Sequence, residues 1–119
     1  MPPKIFESEY RFCMILWEQE PVKSTELVRL CRERLDWSKA TTYTVIKRLT
    51  ERGVVSSEKA VVRSLVSREE AQAAEIDALV DKTFSGSVPA FLSAFSRSEK
   101  LDEREAAAVR RLLEDWPED

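Results

Sequence analysis

A chain of 119 residues has room for one domain, or for a small domain followed by an oligomerisation segment, which excludes large multidomain enzymes. Hydrophobic residues make up 43% and charged residues 34% of it, a soluble composition, and no apolar run approaches the roughly 20 residues of a membrane-spanning helix. The net charge of −3 conceals a division: residues 1–68 hold 13 Lys and Arg against 9 Asp and Glu, whereas residues 69–119 hold 6 against 13. A basic working surface is therefore expected in front and an acidic solvated face behind, so overall acidity does not exclude DNA. The N-terminus, Met1-Pro2-Pro3-Lys4-Ile5-Phe6-Glu7, lacks the apolar stretch of about 7–15 residues that marks a secretion signal, and a cytoplasmic location is expected. Cys13 and Cys31 have neither CxxC spacing nor histidine partners, the chain having no histidine, so no metal, cofactor or disulfide framework is expected.

In chain order, Ser8 is placed to cap a first helix, with Tyr10, Cys13, Met14 and Trp17 forming its apolar stripe and Leu16 at the edge. It should end before Pro21. Ser24 caps a short second helix with Leu27, Leu30, Cys31 and Leu35 inward. Ser38 caps a third, which runs to Arg52 and stops at Gly53, the residue type that most easily takes the left-handed conformation after a helix. The pairs Val54-Val55 and Val61-Val62, separated by the polar stretch Ser56 to Ala60, predict a small hairpin.

Behind the hairpin, Ser67 and Glu70 form a capping box for a helix lasting to about Phe84, with Ile76, Leu79, Val80, Thr83 and Phe84 on its apolar side. Ser85-Gly86-Ser87 breaks the chain, Pro89 fits the first turn of the next helix, and Val88, Phe91, Leu92 and Phe95 repeat the stripe. A last helix starts at Asp102, boxed by Glu105, and carries Ala106, Val109, Leu112, Leu113 and Trp116. Three amphipathic helices of this size do not bury their stripes on themselves, and a second copy is the simplest cover. Ile76, Val80, Phe84, Phe91, Phe95, Val109, Leu112, Leu113 and Trp116 are the expected dimer contacts.

Three helices and a hairpin in that order make a winged helix-turn-helix, so the fold expected is mainly α: a winged domain over residues 1–66 and a helical dimerisation domain over 67–119. In the third helix Thr42, Val45, Ile46 and Leu49 share one face. The other, with Ser38 at its head, carries Lys39, Ala40, Thr41, Tyr43, Thr44, Lys47 and Arg48 and ends at Arg52. Hydroxyls and a threonine methyl suit base edges, and Lys39, Lys47, Arg48 and Arg52 suit phosphates. Lys59 and Arg63 are the candidates on the hairpin. The bland alternative is a solvated helix face.

The residues Leu16-Trp17-Glu18, Ser24-Thr25-Glu26-Leu27-Val28, the run from Trp37 to Gly53, and Val66-Ser67-Arg68-Glu69-Glu70 carry a resemblance. The chain resembles the penicillinase repressor family, of BlaI/MecI/CopY type, over nearly its whole length. The resemblance implies a bacterial transcriptional repressor that binds double-stranded operator DNA as a homodimer, on palindromes of TACA/TGTA type. It implies control of beta-lactam resistance or related stress genes and a sensor-protease pathway that cuts the repressor at the bond matching Ala94-Phe95, with Ala94 where the family has asparagine. The chain departs from the pattern in carrying Ala40 and Tyr43 where lysines are usual and in a shorter wing without glycine at its tip. It also lacks the C-terminal cysteine cluster of the copper-responsive relatives, which removes that kind of metal sensing. The rival reading is a winged module that has lost DNA binding and holds another protein. Glu69-Glu70 and Glu103-Glu105 suit helix starts and need no acid-base role, and no nucleophile-base constellation points to an enzyme. Cys13 and Cys31 read as small buried hydrophobes, or as a redox switch if exposed.

Overall fold

The computed structural model describes residues 2–117. Its elements are α1 (Glu7–Gln19), β1 (Val22–Lys23), α2 (Ser24–Leu35), α3 (Lys39–Glu51), β2 (Val55–Glu58), β3 (Val61–Ser64), α4 (Arg68–Phe84), α5 (Val88–Phe95) and α6 (Glu103–Glu114). The chain divides into two compact units, the first ending at Ala74 and the second starting at Glu75, so the division falls inside α4.

The first unit is built around Phe12, Leu16, Leu27, Leu49, Val54, Val55 and Val62, all withdrawn from solvent. Each such aliphatic or aromatic side chain contributes about 1.5–3 kcal/mol relative to exposure. Trp37 closes one edge of this core by stacking on Phe12, ring centroids 6.3 Å apart. Trp17 closes another: its indole N–H donates to the Val66 carbonyl at 2.9 Å. Glu20, just past the end of α1, accepts from the backbone N–H of Ser64 at 2.7 Å and from its hydroxyl, which ties α1 to β3.

The orientation of α1 differs from the expected one. Glu9, Phe12, Cys13, Ile15 and Leu16 are the buried residues, while Met14 is exposed and Tyr10 and Trp17 are half-buried. From Tyr10 to Trp17 the helix is apolar nearly all round, so two stripes satisfy the helical period and only the tertiary packing selects between them. Its cap differs too. Ser8 lies inside the helix, and the free backbone N–H of Phe6 is met instead by the Glu9 carboxylate at 2.9 Å.

β1 has no counterpart in the sequence reading. It pairs antiparallel with β3, Val22 opposite Val62, and β3 pairs with β2, giving a three-stranded sheet of order β1-β3-β2. Two residues give β1 too little length to register as a pattern. It also accounts for Ser24, which does not cap α2 with its side chain: its backbone N–H donates to Ala60 at 2.8 Å. The hairpin is tighter than the polar spacer suggested, because Ser56, Ser57 and Glu58 belong to β2 and only Lys59 and Ala60 form the turn. Both have positive φ, 51° and 64°, as two-residue hairpin turns require, and neither is the glycine or asparagine that adopts this most cheaply.

In the second unit α5 and α6 pack on one another. Phe84, Phe91 and Phe95 form an aromatic ladder with centroids 5.7 Å apart at each step, the first pair edge-on and the second stacked. The expected caps are present: Ser87 accepts from Ala90 N–H at 3.1 Å, and Asp102 and Glu105 form a reciprocal box at 2.7 and 3.0 Å. Burial is the difference. No residue of α5 or α6 is buried, and Ile76, Leu79, Val88, Phe95, Leu112 and Trp116 are all exposed, Leu112 at 61%. Of the expected apolar side of α4, Val80 is buried and Phe84 half-buried, while Thr83 joins Ile76 and Leu79 in solvent.

Candidate nucleic-acid interface

The third helix is positioned by its own sequence at both ends. The Ser38 hydroxyl accepts from the backbone N–H of Thr41 at 3.1 Å, satisfying one of the unpaired donors of the first turn. At the other end Gly53, at φ 80°, lets its N–H reach the Thr50 carbonyl and that of Val54 reach Leu49, at 3.1 and 2.8 Å. Thr42, Val45, Ile46 and Leu49 are buried at the helical spacing, with the Thr42 hydroxyl donating back to Ser38 O at 3.3 Å so that no polar atom is left stranded. This orients the rest of the helix.

Lys39, Ala40, Thr41, Tyr43, Thr44, Lys47 and Arg48 are consequently all exposed. Tyr43 stands on this strip at 37% exposure. The Ser38 and Thr41 hydroxyls lie 2.9 Å apart and engage each other, so the methyl and hydroxyl of Thr44 are the less encumbered pair. On the hairpin, Lys59 occupies the turn and Arg63 is exposed on β3 opposite Ser56.

The cations divide into two groups. On α2, Arg29 is held between Glu26 and Glu33, and Arg34 is tied to Glu18 of α1 at 3.2 Å. Hydrogen bonds from these arginines hold the Glu18 and Glu26 carboxyls below the usual range and push the Arg29 guanidinium up. Among the described residues, none of Lys39, Lys47, Arg48, Lys59 or Arg63 is held in an ion pair. On α2, then, Arg29 and Arg34 are spent internally while Arg32 is exposed outside these pairs, as are Lys39, Lys47 and Arg48 of α3.

Arg52 is the exception among the expected DNA contacts. Its Nη2 pairs with Oε2 of Glu9, and its guanidinium lies 5.0 Å from the Phe6 ring centroid, so its charge is committed within the protein. Glu9 and Phe6 escaped the sequence reading; the signal available was the three-residue spacing of a capping box, obscured by the misassigned stripe of α1. The cysteines are free and buried, which removes the exposure that a redox switch requires, and burial pushes the Cys13 thiol up to about 12. Burial also raises the Cys31 thiol, opposed by the neighbouring Thr42 side chain and the Arg34 charge.

Three helices, a hairpin after the third, and an outward polar edge on that helix define a winged helix-turn-helix protein. The chain belongs to the penicillinase repressor family, whose model, described as penicillinase repressor, matches residues 5–115 and so takes in both units. This is a family of DNA-binding transcriptional repressors, regulators rather than enzymes. No curated protein matches the chain. Among the described residues, no helix is long and apolar enough to cross a membrane.

Proposed function

We propose that the protein represses transcription as a homodimer, each copy placing α3 in a major groove of a palindromic operator. The observation that carries this reading is the strip Lys39–Arg48, exposed along its outer edge with its cations outside any internal ion pair. Ser38, Lys39, Thr41, Tyr43 and Thr44 lie towards the helix N-terminus, the end that meets base edges in helix-turn-helix proteins, while Lys47 and Arg48 serve the phosphates. Lys59 and Arg63 of the wing, both exposed, add phosphate contacts in this reading. Ala40 and Tyr43 shift the chemistry from charge towards methyl and ring contacts with bases.

Dimerisation is supported by the apolar side chains that the second unit leaves exposed, Ile76, Phe95, Leu112 and Trp116 among them. We assign residues 1–66 to DNA binding and 67–119 to this interface. The same reading includes operators of beta-lactam resistance or related stress genes and release through a sensor-protease pathway at Ala94-Phe95, with family membership as its support. Ala94 is half-buried and Phe95 38% exposed at the end of α5, so cleavage there requires α5 to unwind locally first.

Selection of binding sites from random duplex DNA by the full chain tests the proposal. Enriched sequences should be inverted repeats with half-sites about 10 base pairs apart, or a multiple of that, because two-fold protein symmetry is mirrored in the site. A pool that stays indistinguishable from the input at every salt concentration contradicts it.

A further inference from the structure

Among the described residues Glu9 is the only buried charged side chain, 5% exposed. An uncompensated carboxylate in such a place is expensive, and both of its oxygens are engaged. Oε1 accepts the Phe6 backbone N–H at 2.9 Å, closing the first turn of α1. Oε2 meets Arg52 Nη2. The Phe6 ring lies over the Arg52 guanidinium and also receives Lys4 Nζ at 4.7 Å. Arg52 is the C-terminal cap residue of α3, and its backbone N–H donates to the Arg48 carbonyl at 3.1 Å. One carboxylate therefore joins the start of α1 to the end of α3, one turn from an exposed cation of the candidate interface.

We infer that Glu9 and Arg52 form a latch that sets the position of the C-terminal half of α3, making Arg52 a positioning residue for DNA binding rather than a phosphate contact. The inference rests on the DNA-binding reading given above. Its physical basis is that an ion pair removed from water is held more firmly than the exposed pairs of α2, and that Glu9 cancels the charge Arg52 would otherwise offer to a phosphate. The latch acts on Arg48 and Lys47 by holding the turn on which they stand. Arg52 Nε and Nη2 are themselves buried, Nε without a hydrogen-bond partner and Nη2 facing Glu9 as an ion pair, so neither nitrogen is presented to a phosphate.

Glu9→Gln separates latch from phosphate contact by the sign of its effect. Glutamine keeps an oxygen for the Phe6 N–H and removes the charge that occupies Arg52. A latch loses its hold, and affinity for a labelled palindromic TACA/TGTA duplex falls about threefold to thirtyfold, the range for residues that act on a site through a network. A phosphate contact is instead released, and binding tightens. Arg52→Gln gives the second reading through salt dependence: a latch leaves the slope of log affinity against log salt unchanged, whereas loss of a phosphate contact reduces it by about 0.9. Arg52→Lys, which keeps the charge and most of the reach, should recover part of the affinity.

Affinities are compared at a temperature where circular dichroism shows every variant folded. Lower melting temperatures with unchanged affinity would reduce the pair to structural support and overturn the inference, as would tighter binding by Glu9→Gln. Wild-type protein that binds neither this duplex nor a scrambled one, at any salt, overturns the DNA-binding reading itself, an outcome distinct from the other two.

Discussion

Replacing Lys47 and Arg48 together by alanine should weaken binding to a palindromic operator about a hundredfold, taking roughly 1.5 kcal/mol for each lost phosphate contact, the low end for a hydrogen bond to a charged group. Both side chains are exposed on the last turns of α3 and neither is held in an ion pair, so truncation removes no internal partner and leaves the core face of Thr42, Val45, Ile46 and Leu49 intact. Surface changes of this kind alter stability by less than about 0.5 kcal/mol, which keeps the loss attributable to DNA. For each of the two that neutralises a phosphate, the salt slope should also fall by about 0.9. Fluorescence anisotropy with the full chain measures both quantities. Unchanged affinity would remove α3 from the interface.

Changing Ile76 and Leu112 together to aspartate should produce monomers in light scattering and lower affinity for the palindrome about a hundredfold or more, since two linked readers gain roughly 10²–10⁴ over one. These positions are chosen over Val109 and Leu113 because the latter are half-buried within the unit and would report its packing as well as association. Ile76 and Leu112 are exposed at 47% and 61%, where an aspartate is well solvated in a monomer and costly only against a partner. A dimer that persists with unchanged affinity would place the interface elsewhere.

Much of the interface was readable because its determinants are local. Ser38 as cap, Gly53 as stop and the spacing of Thr42, Val45, Ile46 and Leu49 together fix the helix and the side it turns outward, and all lie within a few residues of what they control. The boxes at Ser67–Glu70 and Asp102–Glu105 were readable for the same reason. The misses were determined at a distance. The face of α1 is chosen by what packs on it, since Tyr10 to Trp17 offers apolar residues in every direction. β1 exists only through its pairing with β3. Arg52 looks like one more cation of the reading helix until Glu9, 43 positions earlier in the chain, is seen to hold it. The Lys59-Ala60 turn lacks the residues that usually announce positive φ, so the polar stretch around it read as a longer loop.

The central claim is that α3 reads a palindrome through a surface whose attraction is largely charge. Anisotropy of the purified full chain against a palindromic TACA/TGTA duplex and a scrambled duplex of equal length, each over a series of salt concentrations, tests it most directly. The account predicts binding that falls steeply and linearly in log affinity against log salt, with the palindrome preferred. Equal, salt-sensitive affinity for both duplexes would mean that Ala40 and Tyr43 have redirected the base preference away from the family's operator. Absence of binding to either duplex at low salt would contradict the account and favour a winged module that recognises protein.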